Sequence, residues 1–358
     1  MRFIWALVAL AALVLALTLP AAAQTYTVTD LGTLGGGSSE ASAINSRGEV
    51  VGWSKTGAGQ THGFVYRAGG MVDLGTLAGG AYSYATAIND RGQVLGYGGI
   101  SASAPRFAER TRSFLWENGS MRTLDGFYFP CSFGDRYATA ANGISGATLV
   151  AEVAKSMRGV LYAYRWVDDQ ASGVVVRPSS LSTSSAYGVN DRGQVVGQRD
   201  GRAFLCQNGE TLDLGTLPGD SASRARGINA SGQVIGESIA ADGASRAILW
   251  RAGAMVAVGT LTGDVTSRAR GINAAAQVVG DSVAADGASR AFHWKNGTMS
   301  DLNTSVPTGS GWVLTAASAI NDVGQISGTG LYNGGTRAFL LTPVTRAPAA
   351  APTTLILR

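Results

Sequence analysis

The side chains able to do chemistry are few and far apart. The 358 residues include only two histidines, His62 and His293, which lie 231 positions apart. No Gly-x-Ser-x-Gly elbow, His-Glu-x-x-His pair or Walker loop occurs, so the local patterns that serve nucleophilic, zinc and phosphoryl chemistry are missing. Each His fills a slot that other copies of a repeated unit give to Arg or Leu, so both read as strand positions. No catalytic residue, metal ligand or cofactor is assigned. Asp30, Asp73, Asp213 and Asp301 recur with the same unit, each followed by Leu and then Gly or Asn. A hard cation needs about six oxygen ligands brought together, so one such Asp per unit reads as a turn cap.

Two departures from the repeat remain as candidate binding sites. The first is the pair Arg224-Ala225-Arg226 and Arg268-Ala269-Arg270, where other copies show Glu40 and Ser42 or Tyr84 and Thr86. Period two puts both Arg of each pair on one face of a strand. If that strand is the innermost of its blade, the guanidinium groups line a central channel beside Glu40 and Tyr84 and can hold a carboxylate, sulfate or phosphate. The structural alternative is that Asp220 and Asp264, a few residues upstream, pair with them. The second departure is a pair of insertions, 99–112 and 126–141, the latter with Phe127, Tyr128, Phe129, Phe133 and Tyr137 close together. Loops on a rigid scaffold are usual places for binding, and clustered aromatics suit sugar rings or a protein contact; the alternative is a satellite cluster covering an irregular blade.

What must position these groups is a repeat reading A-x-x-I-N-x-x-G-x-V-V-G, then R-A-F-L-W, then D-L-G-T-L-x-G. Its Asn falls at Asn45, Asn89, Asn190, Asn229, Asn273 and Asn321, with Ser145 in the remaining slot, at a mean spacing of about 46 residues. The Asn caps a turn, and the Gly three residues on, as at Gly48, Gly92, Gly193, Gly232 and Gly324, takes the left-handed conformation that closes a hairpin. Ala276 replaces that Gly in the sixth copy, which predicts a looser turn. The R-A-F and D-L-G blocks read as two further strands. Four short strands per unit predict an all-β, seven-bladed β-propeller. The last copy lacks the D-L-G strand, which stands orphaned at Tyr26–Gly32, so the N-terminal strand is expected to complete the last blade and close the ring.

The D-L-G-T-L-G-G run from Asp30, the A-I-N-S-R-G-E-V-V-G run from Ala43 and the His62-Gly63-Phe64 or Arg-Ala-Phe blocks resemble the extracellular HAF repeat family over Tyr26 to about Pro343. The resemblance implies export and a repeated β fold, and it supplies no catalytic residues. The third copy departs most, with Ser145 for Asn, Tyr162 for His or Arg, and no D-L-G block near Val174 to Leu181.

Composition sets the remaining bounds. Gly numbers 50 and Pro 9, with 45% hydrophobic and 15% charged residues, which excludes collagen and Pro-rich disorder and supplies a core. Lys and Arg number 28 against 24 Asp and Glu, without charge runs, so no nucleic-acid partner is expected. Arg2, the apolar run Phe3 to Leu19, Pro20 and Ala21-Ala22-Ala23 read as a cleaved signal peptide. The division is 1–24 signal peptide, 25–343 propeller and 344–358 disordered tail. The protein is expected to be secreted, extracellular or periplasmic, monomeric and without a membrane span after cleavage. Cys131 and Cys206 form either a disulfide or one loop thiol and one core thiol in the Trp slot of the R-A-F block. The leading functional reading is a non-catalytic propeller that binds a glycan or an extracellular protein. Alternatives are a hydrolase or lyase on an anionic polysaccharide, with Glu40 or Tyr84 as proton carrier, and a structural envelope protein.

Overall fold

The computed structural model describes residues 24–99, 111–124, 139–146, 148–155, 160–167, 170–176 and 184–344. All of the expected signal peptide but Gln24, the aromatic insertion with Phe127, Tyr128 and Phe129, Cys131 and all of the expected tail but Val344 fall outside the described residues. The chain is an all-β propeller. Its strands form seven four-stranded antiparallel sheets, numbered 1 to 7 by their first strands: Gly35–Ile44, Ser83–Ile88, Thr139–Ser145, Ser184–Val189, Ala222–Ile228, Asp264–Ile272 and Trp312–Ile320. Six sheets are described with their side chains and sheet 3 chiefly by its backbone. The first strands of successive sheets touch one another, and sheet 7 touches sheet 1. These strands therefore form the inner ring. In sheet 7 the outer strand is Tyr26–Asp30, which pairs antiparallel with Gly335–Pro343, so an edge that would invite aggregation is covered. The pairing continues one residue beyond the expected boundary: Val344 N–H donates to Thr25 O at 2.9 Å.

Each repeated block has a packing reason. The Phe of the R-A-F strand is fully buried in five sheets, as Phe64, Phe114, Phe204, Phe292 and Phe339, and Ile248 replaces it in sheet 5. The small residue of V-V-G lets the inner strand approach: a Cβ at Gly236 or Gly280 would lie 1.9 Å from the carbonyl of Arg224 or Arg268. The buried Ser two residues before the inner-strand Ala stitches sheets together. Ser223 Oγ accepts from Ala203 N–H at 2.9 Å and donates to Gly215 O at 2.6 Å, both in the preceding sheet, and Ser267 does the same with Ala247 and Gly259.

The Asn of the A-I-N block does more than cap its turn. Asn273 Oδ1 accepts from Gln277 N–H at 2.9 Å, while its amide donates to Gln277 Oε1 at 3.1 Å and to Asn321 O of the next sheet at 3.2 Å. The same link to the next Asn carbonyl runs from Asn45, Asn190, Asn229 and, across the closure, from Asn321 to Asn45 O. Asn89 donates instead to Gly146 O, beside the Ser145 that breaks the pattern.

The sixth turn is not looser. Ala276 keeps the left-handed backbone at φ 57°, and its N–H donates to Asn273 O at 3.0 Å, as Gly232 does to Asn229 O at 3.0 Å. The surrounding ladder holds the turn and the alanine bears the strain. Ala276→Gly is therefore expected to stabilise the protein by about 0.5–1 kcal/mol in urea unfolding; a destabilised variant would show that the turn does not carry this strain.

Candidate functional site: the arginine-lined channel

Every inner strand carries a β-bulge at the same place, between Ala225 and Gly227 in sheet 5 and between Ala269 and Gly271 in sheet 6. A bulge re-aims the inserted residue, and here the inserted residues are Arg226 and Arg270. The residues two positions earlier, Arg224 and Arg268, stand directly across from Glu237 and Asp281 on the second strands. Ala225 and Ala269 between the pairs are wholly buried, so the Arg side chains share the opposite, less buried side of these innermost strands.

Glu237, only 2% exposed, gathers three of the four guanidinium groups. Its Oε1 accepts from Arg224 Nη1 at 3.1 Å and from Arg226 Nη2 at 2.9 Å. Its Oε2 accepts no hydrogen bond and has Arg268 Nε of the next sheet at 3.8 Å. Arg224 also reaches Gln198 Oε1 of sheet 4 at 3.4 Å and lies over the Tyr187 ring. Arg270 Nε donates to the buried Asp281. Two buried carboxylates thus hold four arginines, which leaves a local excess of positive charge. Arg268 makes no hydrogen bond among the described residues, and both Arg268 and Arg270 are exposed.

The expected partners Asp220 and Asp264 are not those of the channel arginines. Asp220 pairs with Arg246, and Asp264 accepts from Arg290 Nη2 at 2.6 Å. Both are bonds to the Arg of the R-A-F block, which reaches 26 positions back in sequence to the start of its own sheet. The true partners, Glu237 and Asp281, occupy the position after V-I-G and V-V-G, where sheets 1, 2, 4 and 7 have Trp53, Tyr97, Gln198 and Thr329 and sheet 3 has Glu152, in register with Ala140 and not with an arginine. A register-aware comparison of that column would have exposed them.

Glu40 and Tyr84 are not brought against the arginines. Glu40 lies on sheet 1, with sheet 7 between it and sheet 6, and no ion pair within 4 Å involves it among the described residues. Tyr84 belongs to an aromatic group on sheets 1 and 2: it stacks on Tyr97 at 5.3 Å and meets Trp53 and Tyr82 edge-on at 6.0 and 5.8 Å. Burial, with Tyr84 and Tyr82 beside it, raises the Tyr97 pKa, so this hydroxyl holds its proton. The recurrent Asp residues cap turns: Asp30, Asp73 and Asp213 accept from Gly32, Gly75 and Gly215 N–H at 2.7–2.9 Å. His62 and Arg202 pair with the Asp of their own sheets, Asp73 at 2.8 Å and Asp213 at 3.0 Å. Cys206 is buried in the Trp slot. Among the described residues no cluster of His, Cys, Asp and Glu can hold a metal ion, and no helix is long and apolar enough to cross a membrane.

At the turn face, a cavity of about 380 Å³ is lined by Ile44, Ile88, Asn45, Asn89, Asn321, the carboxylates Asp90, Asp191 and Asp322 and the guanidinium of Arg91, among others. Carboxylates thus outnumber arginines in the lining at the Asn-turn face, and arginines outnumber carboxylates farther up the inner strands of sheets 5 and 6.

No protein-family model matches the chain, and no curated protein matches it. Solved propellers do. YCF48 bound to a D1 peptide is 12% identical with a TM-score of 0.53, covering 92% of this chain and 99% of its own. The acylaminoacyl peptidase of Pyrococcus horikoshii is 12% identical with a TM-score of 0.50 over 81% of this chain, which spans only 50% of that enzyme. The extracellular domain of a one-component system from B. thetaiotaomicron is 10% identical with a TM-score of 0.50, over 88% of this chain and 39% of that one. At these identities the likeness is one of fold.

Proposed function

We propose that the protein is an exported, non-catalytic, seven-bladed propeller with HAF-type repeats, each sheet one blade, that captures a glycan or protein partner through its channel. The observation that carries this reading is the arginine group: four guanidinium groups on two adjacent inner strands, with the hydrogen-bonding edges of Arg268 and Arg270 turned to solvent. Buried ion pairs are costly to assemble, and a purely structural ring needs none here, since sheets 1 and 2 fill the equivalent positions with Trp53, Tyr84 and Tyr97. An anionic group on the partner would find preoriented, charge-assisted donors. The carboxylates of the site are tied to arginine and buried, which favours holding a ligand over transferring a proton. Binding of a D1 peptide by YCF48 makes a peptide partner a reasonable class beside an acidic glycan.

The test is a screen of acidic glycan and peptide arrays with the protein and with an Arg268→Gln/Arg270→Gln/Asp281→Asn variant. Changing Asp281 together with Arg270 avoids stranding a buried charge. Binding by the parent that falls at least tenfold in the variant is the expected result. A parent that binds no member of either array, or a variant that binds as well, removes the channel from consideration.

A further inference from the structure

We infer that the mouth of the channel opposite the Asn turns receives the free C-terminal carboxylate of an extended peptide bearing an aliphatic side chain about three residues before its end. This rests on the ligand-binding reading above and specifies its ligand.

Three features converge. The inner strands begin at the mouth beside the D-L-G loops, and there Val265 and Val313 occupy the second position of adjacent inner strands. Val313 is the cross-strand partner of Leu331, and Val265, Val313 and Leu331 are 53%, 51% and 42% exposed. Together they leave an aliphatic step on two touching strands, which an apolar side chain of a ligand can cover.

Three residues further along the strand, about 10 Å deeper, is Arg268, with Arg270 two residues beyond. Ala269 between them is wholly buried, so both forks rise from the same side of the strand. Arg270 spends only its Nε on Asp281, and Arg268 spends no donor on a hydrogen bond among the described residues. A planar carboxylate is the group that matches such forks. The orphaned Glu237 Oε2 at 3.8 Å holds Arg268 in place without occupying its outer donors.

The far end of the channel decides where the chain stops. Beyond the arginines, the three carboxylates Asp90, Asp191 and Asp322 line the cavity at the Asn turns against the single guanidinium of Arg91, and the belt of buried Asn side chains ties the ring together there. A carboxylate moving deeper exchanges arginines for aspartates, so the negative group comes to rest at the arginines and the rest of the chain trails back through the mouth. A polymer carrying one anion at its end fits this polarity, and capture of a terminal carboxylate is a known recognition mode. A uronate glycan carries its charges along its whole length and stacks its rings on aromatic faces. The grouped aromatics Trp53, Tyr82, Tyr84 and Tyr97 lie on sheets 1 and 2, away from the arginine forks.

The test uses a heptapeptide library with free C-termini, Leu fixed three residues before the end and the other positions randomised. The same library amidated at its C-terminus and a set of oligouronates are the comparators, each captured on immobilised protein and quantified by mass spectrometry. Enrichment of the acid over the amide library by at least tenfold is expected. Arg268→Gln should abolish that preference, whereas Val265→Ser/Val313→Ser should weaken capture of both libraries several-fold and leave the acid preference intact. Equal capture of acid and amide overturns the terminal-carboxylate inference while the binding reading stands, as does capture of oligouronates alone. Capture of none of the three overturns both.

Discussion

Replacing Arg224 and Arg226 together by Ala is expected to destabilise the protein by about 3–5 kcal/mol, the cost of leaving a buried charge without its partners. The physical reason is Glu237, 2% exposed, whose Oε1 takes both of its hydrogen bonds from these two arginines. Once they are gone, only Arg268 at 3.8 Å remains near the carboxylate, and that guanidinium is partly solvated. The loss should be largely restored by adding Glu237→Gln, because sheet 4 already accommodates Gln198 at the equivalent position, opposite Ser185. Urea unfolding of the parent, the double variant and the triple variant measures this directly. If the triple variant is no more stable than the double, the arginines support the fold through packing of their aliphatic stems and the charge network has another role.

The second large effect is a dependence on pH carried by one residue. His293 lies in the third strand of sheet 6, 6% exposed, with its Nε2 unpartnered and the edge of Tyr26 against its ring. Burial, reinforced by Lys295, lowers its pKa from 6.5 to about 4. The unfolded chain therefore binds a proton that the folded chain refuses between those values. The stability contribution of neutral His293 is present above about pH 6.5 and is lost as the pH falls toward 4, by up to roughly 3 kcal/mol. His293→Leu, the residue found in that slot as Leu115, Leu205 and Leu249, should abolish this component. At pH 7 the variant should be as stable as the parent or slightly more so, since a buried unpaired nitrogen is removed. Its advantage should then widen on acidification. Unfolding curves at pH 7, 5.5 and 4.5 that run parallel for the two proteins would contradict the assignment.

Much of the fold is legible residue by residue. The Asn and Gly of A-I-N-x-x-G and the Asp of D-L-G show themselves through local turn capping and the Phe of R-A-F through strand alternation, whereas the Asn link to the next sheet and the packing of the Phe arise only in the ring. Local rules of this kind predict strands and turns well. The orphaned D-L-G strand at Tyr26–Gly32 is legible for a related reason: a repeat with one strand missing at one end and surplus at the other implies their pairing. Ala276 shows the limit of such reasoning, because a residue that disfavours left-handed backbone adopts it when the ladder on both sides of the turn is already paired.

The site is a different matter. The sequence by itself determined that Arg224, Arg226, Arg268 and Arg270 stand out from their repeat columns and share a face, because period two is a property of any strand. Which carboxylates meet them was decided only by the tertiary structure. Asp220 and Asp264 are near in sequence, yet they lie before the inner strand begins or at its first residue, where the nearest cation is the arginine of the R-A-F strand. Glu237 and Asp281 are 11 positions beyond Arg226 and Arg270, and the hairpin register folds them directly across from the first arginine of each pair. The contact of Arg268 with Glu237 depends further on how sheet 5 packs on sheet 6, a distance between two sheets that no spacing within one repeat encodes. For the same reason Glu40 and Tyr84 share the arginines' columns but not their site: equivalent positions in a ring repeat a height along the channel, and the ring sets their place around it.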